Sequence, residues 1–180
     1  MDSGLITGRY ATALLQYAES LGQGAEVLRD AQSLISLLPA LEKYLHRLEG
    51  PSEKLELLHK ALPQMCAPLG RFLSLVMDHH REDHLKRMLQ DYCREYRKLH
   101  GIAEGRLTVA SKPSDELLAA LEKFTRERRG AQKVEIEVNI DPDIIGGYVY
   151  RVGDLRLDAS VRRQLREIEK KFETKNKRII

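Results

Sequence analysis

The sequence has no tryptophan, and aromatic residues of all kinds make up only 6% of its 180 positions. A core without large rings has to be built from Leu, Ile, Val and Ala, which favours packed helices. Cysteine is equally scarce. Cys66 and Cys93 are far apart and lack the close spacing of a metal site, so they read as buried free thiols in a reducing compartment, and a disulfide-stapled secreted scaffold is excluded. No apolar run approaches the ~20 residues a membrane span requires, so any membrane contact is expected to come through a partner. The opening "MDSGLITGRYATALL" has no basic segment followed by a long apolar core, and no secretory leader is expected. A strong charge excess is missing too. Lys and Arg number 30 against 27 Asp and Glu, a net charge of +3. The first hundred residues balance at 13 of each, and the remainder carries 17 against 14. The basic stretch "RRQLREIEKKFETKNKR" is milder than a dedicated nucleic-acid domain shows.

What is present divides into two halves. The first hundred residues have helical periodicity throughout. Leu5, Ile6, Tyr10, Ala13, Leu14, Tyr17 and Leu21 recur at close to helical spacing, and Gly22 and Gly24 end that segment. Val27, Leu28, Ala31, Leu34, Ile35 and Leu38 form a second stripe, with Pro39 predicted to stop it and a short segment from Leu41 to Leu48 to follow. Ser52 is a predicted helix cap with Glu53 behind it, and Pro63 closes that helix. Phe72, Leu75, Val76 and His79 share a face of the next helix. Leu85, Met88, Leu89, Tyr92 and Tyr96 line another, which Gly101 stops. The sum is a six-helix bundle with short connections.

The second half changes period. Leu107 and Val109 alternate. Ser114 caps a helix striped by Leu117, Leu121 and Phe124. "KVEIEVNID" alternates strictly, with Val134, Ile136, Val138 and Ile140 on the buried face. "GGYVYRVGDLRLD" adds one or two strands broken at a Gly153-Asp154 hairpin turn. A final helix carries Val161, Leu165, Ile168 and Phe172 on one face. The order β-α-β-β-β-α implies a small α+β domain, so the chain is α+β overall. The boundary falls near His100 to Gly105, giving domains 1–102 and 103–180.

The search for chemistry turns up little. Gly146 and Gly147 lie between strands, whereas a dinucleotide or phosphate loop needs glycines that lead into a helix N-terminus, with Lys and Ser/Thr in the phosphate case. They read as a bend or bulge where a side chain would clash. His80 and His84 resemble half of a zinc-protease motif, but Arg81 replaces the required Glu. Cys66 has no local base. Asp141 and Asp143 flank Pro142 as turn residues. No catalytic, cofactor or metal constellation is specified. The remaining functional surface is for partners: Ala11, Ala13 and Ala18 lie beside Tyr10 and Tyr17 on the first helix, either as bundle core or as a groove for an amphipathic helix. A basic RNA-binding or adaptor module and a small hydrolase are the competing classes. The first lacks aromatics on a strand platform, and the second lacks site geometry.

The whole chain resembles the delta subunit of F-type ATP synthases, the oligomycin-sensitivity-conferring protein of mitochondria. "GRYATALLQYA" is similar to the family's opening, and "EKLELLHKAL" to its fourth helix. "RFLSLVMDHHREDHLKRMLQDY" resembles the family stretch LLxLLxxxxRxxxLxxI, with Arg81 in the Arg position. The most specific piece is Asp141, Ile144, Gly146, Gly147 and Tyr148, continuing to Gly153 and Asp154. It is followed by the D-x-S-V-R helix start at Asp158, Ser160, Val161 and Arg162. The residues before Arg81 and a slightly long basic tail depart from the family pattern.

The resemblance implies a non-catalytic stator subunit. It sits on the catalytic head and ties it to the peripheral stalk, so that rotor torque drives ATP synthesis coupled to proton transport. It implies no cofactor or metal, and a monomer within a hetero-oligomeric complex. The N-terminal helix of an alpha subunit would dock in a groove between the first and fifth helices, where Tyr10, Ala13, Leu14 and Tyr17 face Phe72, Leu75, Val76 and His79. The b subunits would meet the C-terminal domain through the last helix and the Gly146–Leu157 strands. Without a transit peptide, the expected setting is the cytoplasmic face of a bacterial inner membrane rather than an organelle.

Overall fold

The computed structural model describes the backbone of residues 3–176 and the side chains of residues 4–170. The chain divides into two compact units between Leu99 and His100.

In the first unit, α1 (Ser3–Ser20), α2 (Gly24–Leu45), α3 (Pro51–Ala61), α4 (Ala67–Asp78) and α5 (Leu85–Leu99) are joined by short turns, with a 3-10 turn at Glu82–His84. Among the described residues its α-helices number five where six were expected, because α2 runs through Pro39. Proline removes one backbone donor and crowds the preceding turn. Here it sits on the exposed side of α2, while Leu34, Leu38 and Leu45 are buried and hold both arms of the helix to the bundle. The cap expected at Ser52 is also displaced. Gly50 is the N-cap of α3, Pro51 occupies its first turn, and Ser52 lies inside the helix. Proline is well placed there because its missing N–H would have no helical partner.

Helix α1 turns a different face inward from the one its large side chains suggested. Thr7, Ala11, Leu14 and Ala18 are buried, whereas Leu5 and Leu21 are exposed. The alanines let α1 approach α5 closely. In α5, Leu85, Met88, Leu89, Tyr92 and Tyr96 form the buried stripe. The Tyr92 hydroxyl donates to the Gly24 carbonyl oxygen at 3.0 Å, fixing the start of α2. Lys54 on α3 pairs with Glu82, both largely shielded from water, and clips α3 to the 3-10 turn.

The second unit is built on a four-stranded sheet in the order β2-β1-β3-β4. Strand β1 (Ile102–Val109) runs parallel to β2 (Lys133–Ile140), with α6 (Asp115–Arg129) as the crossover. Strands β3 (Tyr148–Val152) and β4 (Leu155–Asp158) add antiparallel, and α7 (Val161–Asn176) follows. Ser114 caps α6 by accepting from the Leu117 N–H. Leu117, Leu118, Leu121 and Phe124 then pack one sheet face against Leu107, Val109, Tyr150 and Val152. The Thr125 and Tyr150 hydroxyls pair at 2.6 Å inside this layer.

Alternation in β2 overstated its burial. Val134 is buried and Ile136 half-buried, but Val138 and Ile140 are exposed. They lie at the far end of an edge strand, where only β1 flanks them. The stripe expected on α7 is likewise exposed at Leu165 and Ile168, and the side chain of Phe172 lies outside the described residues.

Candidate functional site

The sequence placed a partner groove on two helices of the bundle, here α1 and α4. Two side-chain bonds join these helices. The Tyr10 hydroxyl lies 2.7 Å from His79 Nδ1, and Arg71 donates to the Tyr17 hydroxyl. Tyr10 meets the C-terminal end of α4 and Tyr17 its N-terminal part, so the helices run in opposite directions along the seam. Arg81 closes one end, with its guanidinium 5.3 Å from the centre of the Tyr10 ring and a donated bond to the Tyr10 hydroxyl at 3.2 Å. Arginine can only donate, so the Tyr10 oxygen accepts from Arg81 while also bonded to His79.

The eight expected groove residues separate into three groups. Leu14, Phe72 and Val76 are buried and belong to the bundle interior. They support the seam from beneath and do not line a groove. Tyr10 and Tyr17 are half-buried and His79 exposed, and they form the polar posts of the seam. Ala13 is exposed and Leu75 is 47% exposed. These two are the open apolar positions between the posts. Next to them, the outer side of α1 forms an open concavity of about 440 Å³ lined by Gly4, Leu5, Gly8, Arg9, Thr12, Ala13 and Gln16. Sequence reasoning missed Arg71 as a partner of Tyr17. The signal for it was the tyrosine pair seven residues apart, matched by Arg71 and Arg81 at the two ends of an apolar helix.

The signature residues of the second unit converge on one backbone junction. Asp141 Oδ1 accepts from the Asp143 N–H at 3.0 Å, fixing the short 3-10 turn Pro142–Ile144, and Ile144 is buried beneath it. The chain then returns beside the start of α7. The Val161 N–H donates to the Gly146 carbonyl oxygen at 3.0 Å, and the Ala159 N–H to the Tyr148 carbonyl oxygen at 2.8 Å. Gly147 has φ +73°, and a Cβ there would overlap the Ala159 carbonyl oxygen and lie 3.2 Å from Ser160 Cα. The paired glycines therefore let two backbone segments touch, as the clash reading expected.

Asp158 completes the junction. Its Oδ1 accepts from the Ser160 hydroxyl at 2.7 Å and from the Ser160 N–H at 3.2 Å, and the Ser160 hydroxyl accepts from the Arg163 N–H at 3.3 Å. The Ser160 hydroxyl bond holds the Asp158 carboxyl below the usual carboxylate range against the opposing effect of burial, with help from Arg156. Gly153 and Asp154 make the two-residue turn between β3 and β4 with Gly153 at φ +57°. Arg129 bridges that turn, donating to the Val152 carbonyl oxygen at 2.8 Å and pairing with Asp154. Arg162 is exposed at the start of α7.

The other sequence candidates do not assemble into a reactive site. Helix α4 ends at Asp78 and His80 sits at φ +51° in the turn that follows, so His80 and His84 do not share a helix face. Among the described residues, no three His, Cys, Asp or Glu side chains come together as a metal site. The Cys66 thiol is pushed up to about 11 by burial, with neighbouring Asp30 adding to the effect. Its backbone N–H donates to the buried Asp30 carboxylate at 2.8 Å. No helix among the described residues is long and apolar enough to cross a membrane.

The family pattern described as ATP synthase delta (OSCP) subunit matches residues 6–172. The ATP synthase subunit delta of Phocaeicola vulgatus is 34% identical, with full coverage of both chains. That of Synechococcus sp. is 30% identical over 88% of this chain and 91% of its own. A chain in the cryo-EM structure of the Toxoplasma gondii mitochondrial ATP synthase hexamer has the same fold. Its TM-score is 0.64 at 20% identity, covering 92% of this chain and 96% of that one. The chain belongs to the ATP synthase delta (OSCP) subunit family.

Proposed function

We propose that the α1–α4 seam receives the N-terminal helix of an alpha subunit and that the second unit holds the ends of the stalk b subunits. Family membership makes the chain a non-catalytic stator subunit of a rotary ATP synthase. Its task is to keep the catalytic head from turning with the rotor. The N-terminal helical unit is the head-side half of that link. Residues 103–180 are the stalk-side half.

One observation carries the head-side assignment. Two cross-helix bonds, Tyr10 to His79 and Arg71 to Tyr17, frame the exposed Ala13 and Leu75. Small and aliphatic positions between fixed aromatic posts suit the apolar face of an incoming helix. The concavity beside Ala13 gives that helix a surface it can approach closely. On this reading the chain is a monomer within its complex, held by its partners at the cytoplasmic face of a bacterial membrane. It binds no cofactor.

Co-purification from native cells tests the assignment. The tagged chain should bring down the alpha and b subunits together, and Leu75→Asp should lose alpha while keeping b. Retention of alpha by that variant would contradict the seam as the docking site.

A further inference from the structure

Among the described residues of the second unit, α6 packs on one face of the sheet. Leu107, Val109, Tyr150 and Val152 pack toward α6, and the residues that alternate with them turn to the opposite face. On that open face the strand register sets three arginines side by side. Arg106 of β1 stands opposite Arg151 of β3, and Arg151 stands opposite Arg156 of β4. All three are exposed. Like charges directly opposite one another destabilise a sheet.

The two ends of the row are partly offset. Glu137 meets Arg106 at 3.0 Å, and Asp158 meets Arg156 at 2.9 Å. Arg151, in the middle, has an arginine on each side. The charge continues past β4 onto α7, where Arg163, Arg166 and Lys170 join Arg156 around a concavity of about 260 Å³. Asp158 and Glu167 are the only carboxylates among the described residues that line it. A fold that tolerates this row gains from an anion that covers it.

We propose that this open face docks a short acidic helix of a partner chain, with carboxylates three or four residues apart lying over Arg106, Arg151 and Arg156. This rests on the reading that the b subunits meet the second unit, and it names how they are recognised. Adjacent strands are about 4.8 Å apart, and helix positions three or four apart lie about 5–6 Å apart. A helix laid across the strands therefore matches the arginine row in pitch, and each guanidinium can donate to a carboxylate in a forked pair.

The surroundings favour that occupant over other polyanions. Glu104, Glu135 and Glu137 occupy the β1–β2 end of the same face, so the basic track stops after three strands instead of running on like a nucleic-acid groove. Among the described residues, the strands present no aromatic ring on this face on which a base could stack. Nor do they present a large exposed apolar side chain there to enter a bilayer.

The test uses the full chain and a fluorescent peptide of the C-terminal segment of the b subunit from the same organism, followed by anisotropy at low and high salt. The wild-type chain should bind, more weakly as salt rises. Arg151→Glu should weaken binding about tenfold or more with its circular dichroism unchanged. A peptide whose central acidic residue is replaced by Lys should recover binding to that variant. Wild-type binding that Arg151→Glu leaves intact overturns this inference alone. No binding by the wild-type chain removes the stalk reading and this inference with it. Equal binding to poly(U) RNA, or to phosphatidylserine–phosphatidylcholine vesicles, that Arg151→Glu abolishes would overturn a protein helix as the occupant.

Discussion

Replacing Gly147 by Ala tests the junction of the second unit through one methyl group. Gly147 sits at φ +73°, and a left-handed backbone costs an L-residue about 1–2 kcal/mol. The added carbon would also overlap the Ala159 carbonyl oxygen. Relief requires the start of β3 to move away from residues 159–161. That movement weakens two backbone bonds, Ala159 N–H to Tyr148 at 2.8 Å and Val161 N–H to Gly146 at 3.0 Å, each contributing about 1 kcal/mol. The expected loss is therefore about 3–4 kcal/mol.

Gly130→Ala supplies the control. Gly130 ends α6 at φ +63°, and a methyl group there would meet nothing within 4 Å, so its cost is the conformational strain alone, about 1–2 kcal/mol. Urea unfolding of the two variants of the full chain, followed by circular dichroism, compares them directly. The second-unit transition should shift markedly further in Gly147→Ala. Equal midpoints would refute the close-approach argument and leave the glycine pair as a matter of φ alone.

Other outcomes follow from the first unit. Leu75→Asp should weaken binding of an alpha N-terminal peptide by about 2 kcal/mol in titration calorimetry, because a charge enters a desolvated contact. Val76→Asp, buried in the bundle, should instead lower the thermal midpoint, and the reverse pattern would exclude the seam. Lys54→Met should cost about 3 kcal/mol by stranding Glu82. Burial pushes the Glu82 carboxyl up, but the Lys54 bond and charge outweigh it and hold it below the ordinary glutamate value. The pair's stabilisation is therefore present above the ordinary glutamate range and is lost as pH falls through the lowered folded value. Urea midpoints of wild type and variant should converge in acid, and a gap that persists would contradict the pair. Cys66, pushed up to about 11 from 9.0, should react with a thiol reagent about tenfold more slowly than a free cysteine, its scarcer thiolate being partly offset by greater nucleophilicity. Labelling of the native chain at the free-thiol rate would show that burial is not protecting it.

Much of this architecture was legible because periodicity reports burial. The α5 stripe, the Ser114 cap and the Gly153-Asp154 turn each have a local cause. The errors arose where tertiary packing decides. Leu5 looked like core in α1, yet Ala11 and Ala18 are the buried positions, because small residues admit a close neighbour. Pro39 reads as a stop in isolation, but Leu38 and Leu45 hold the helix through it. Val138 and Ile140 alternate correctly and remain exposed because an edge strand has cover on one flank only.

The sites divide the same way. Gly146 and Gly147 could be separated from phosphate loops by their strand context, but their contact with Ala159 and Ser160 lies more than ten residues along the chain. The groove residues were brought together on adjacent helices. Sequence spacing did not reveal that Leu14, Phe72 and Val76 turn inward while Ala13 and Leu75 stay open. The arginine row is invisible in one dimension, because only strand register places Arg106, Arg151 and Arg156 side by side.

A link between head and stalk must hold both partners at once. Native mass spectrometry of the full chain mixed with two peptides, the N-terminal segment of alpha and the C-terminal segment of b, measures this directly. The account predicts a ternary complex that loses only the alpha peptide in Leu75→Asp. Displacement of one peptide by the other, or binding of neither, would contradict it.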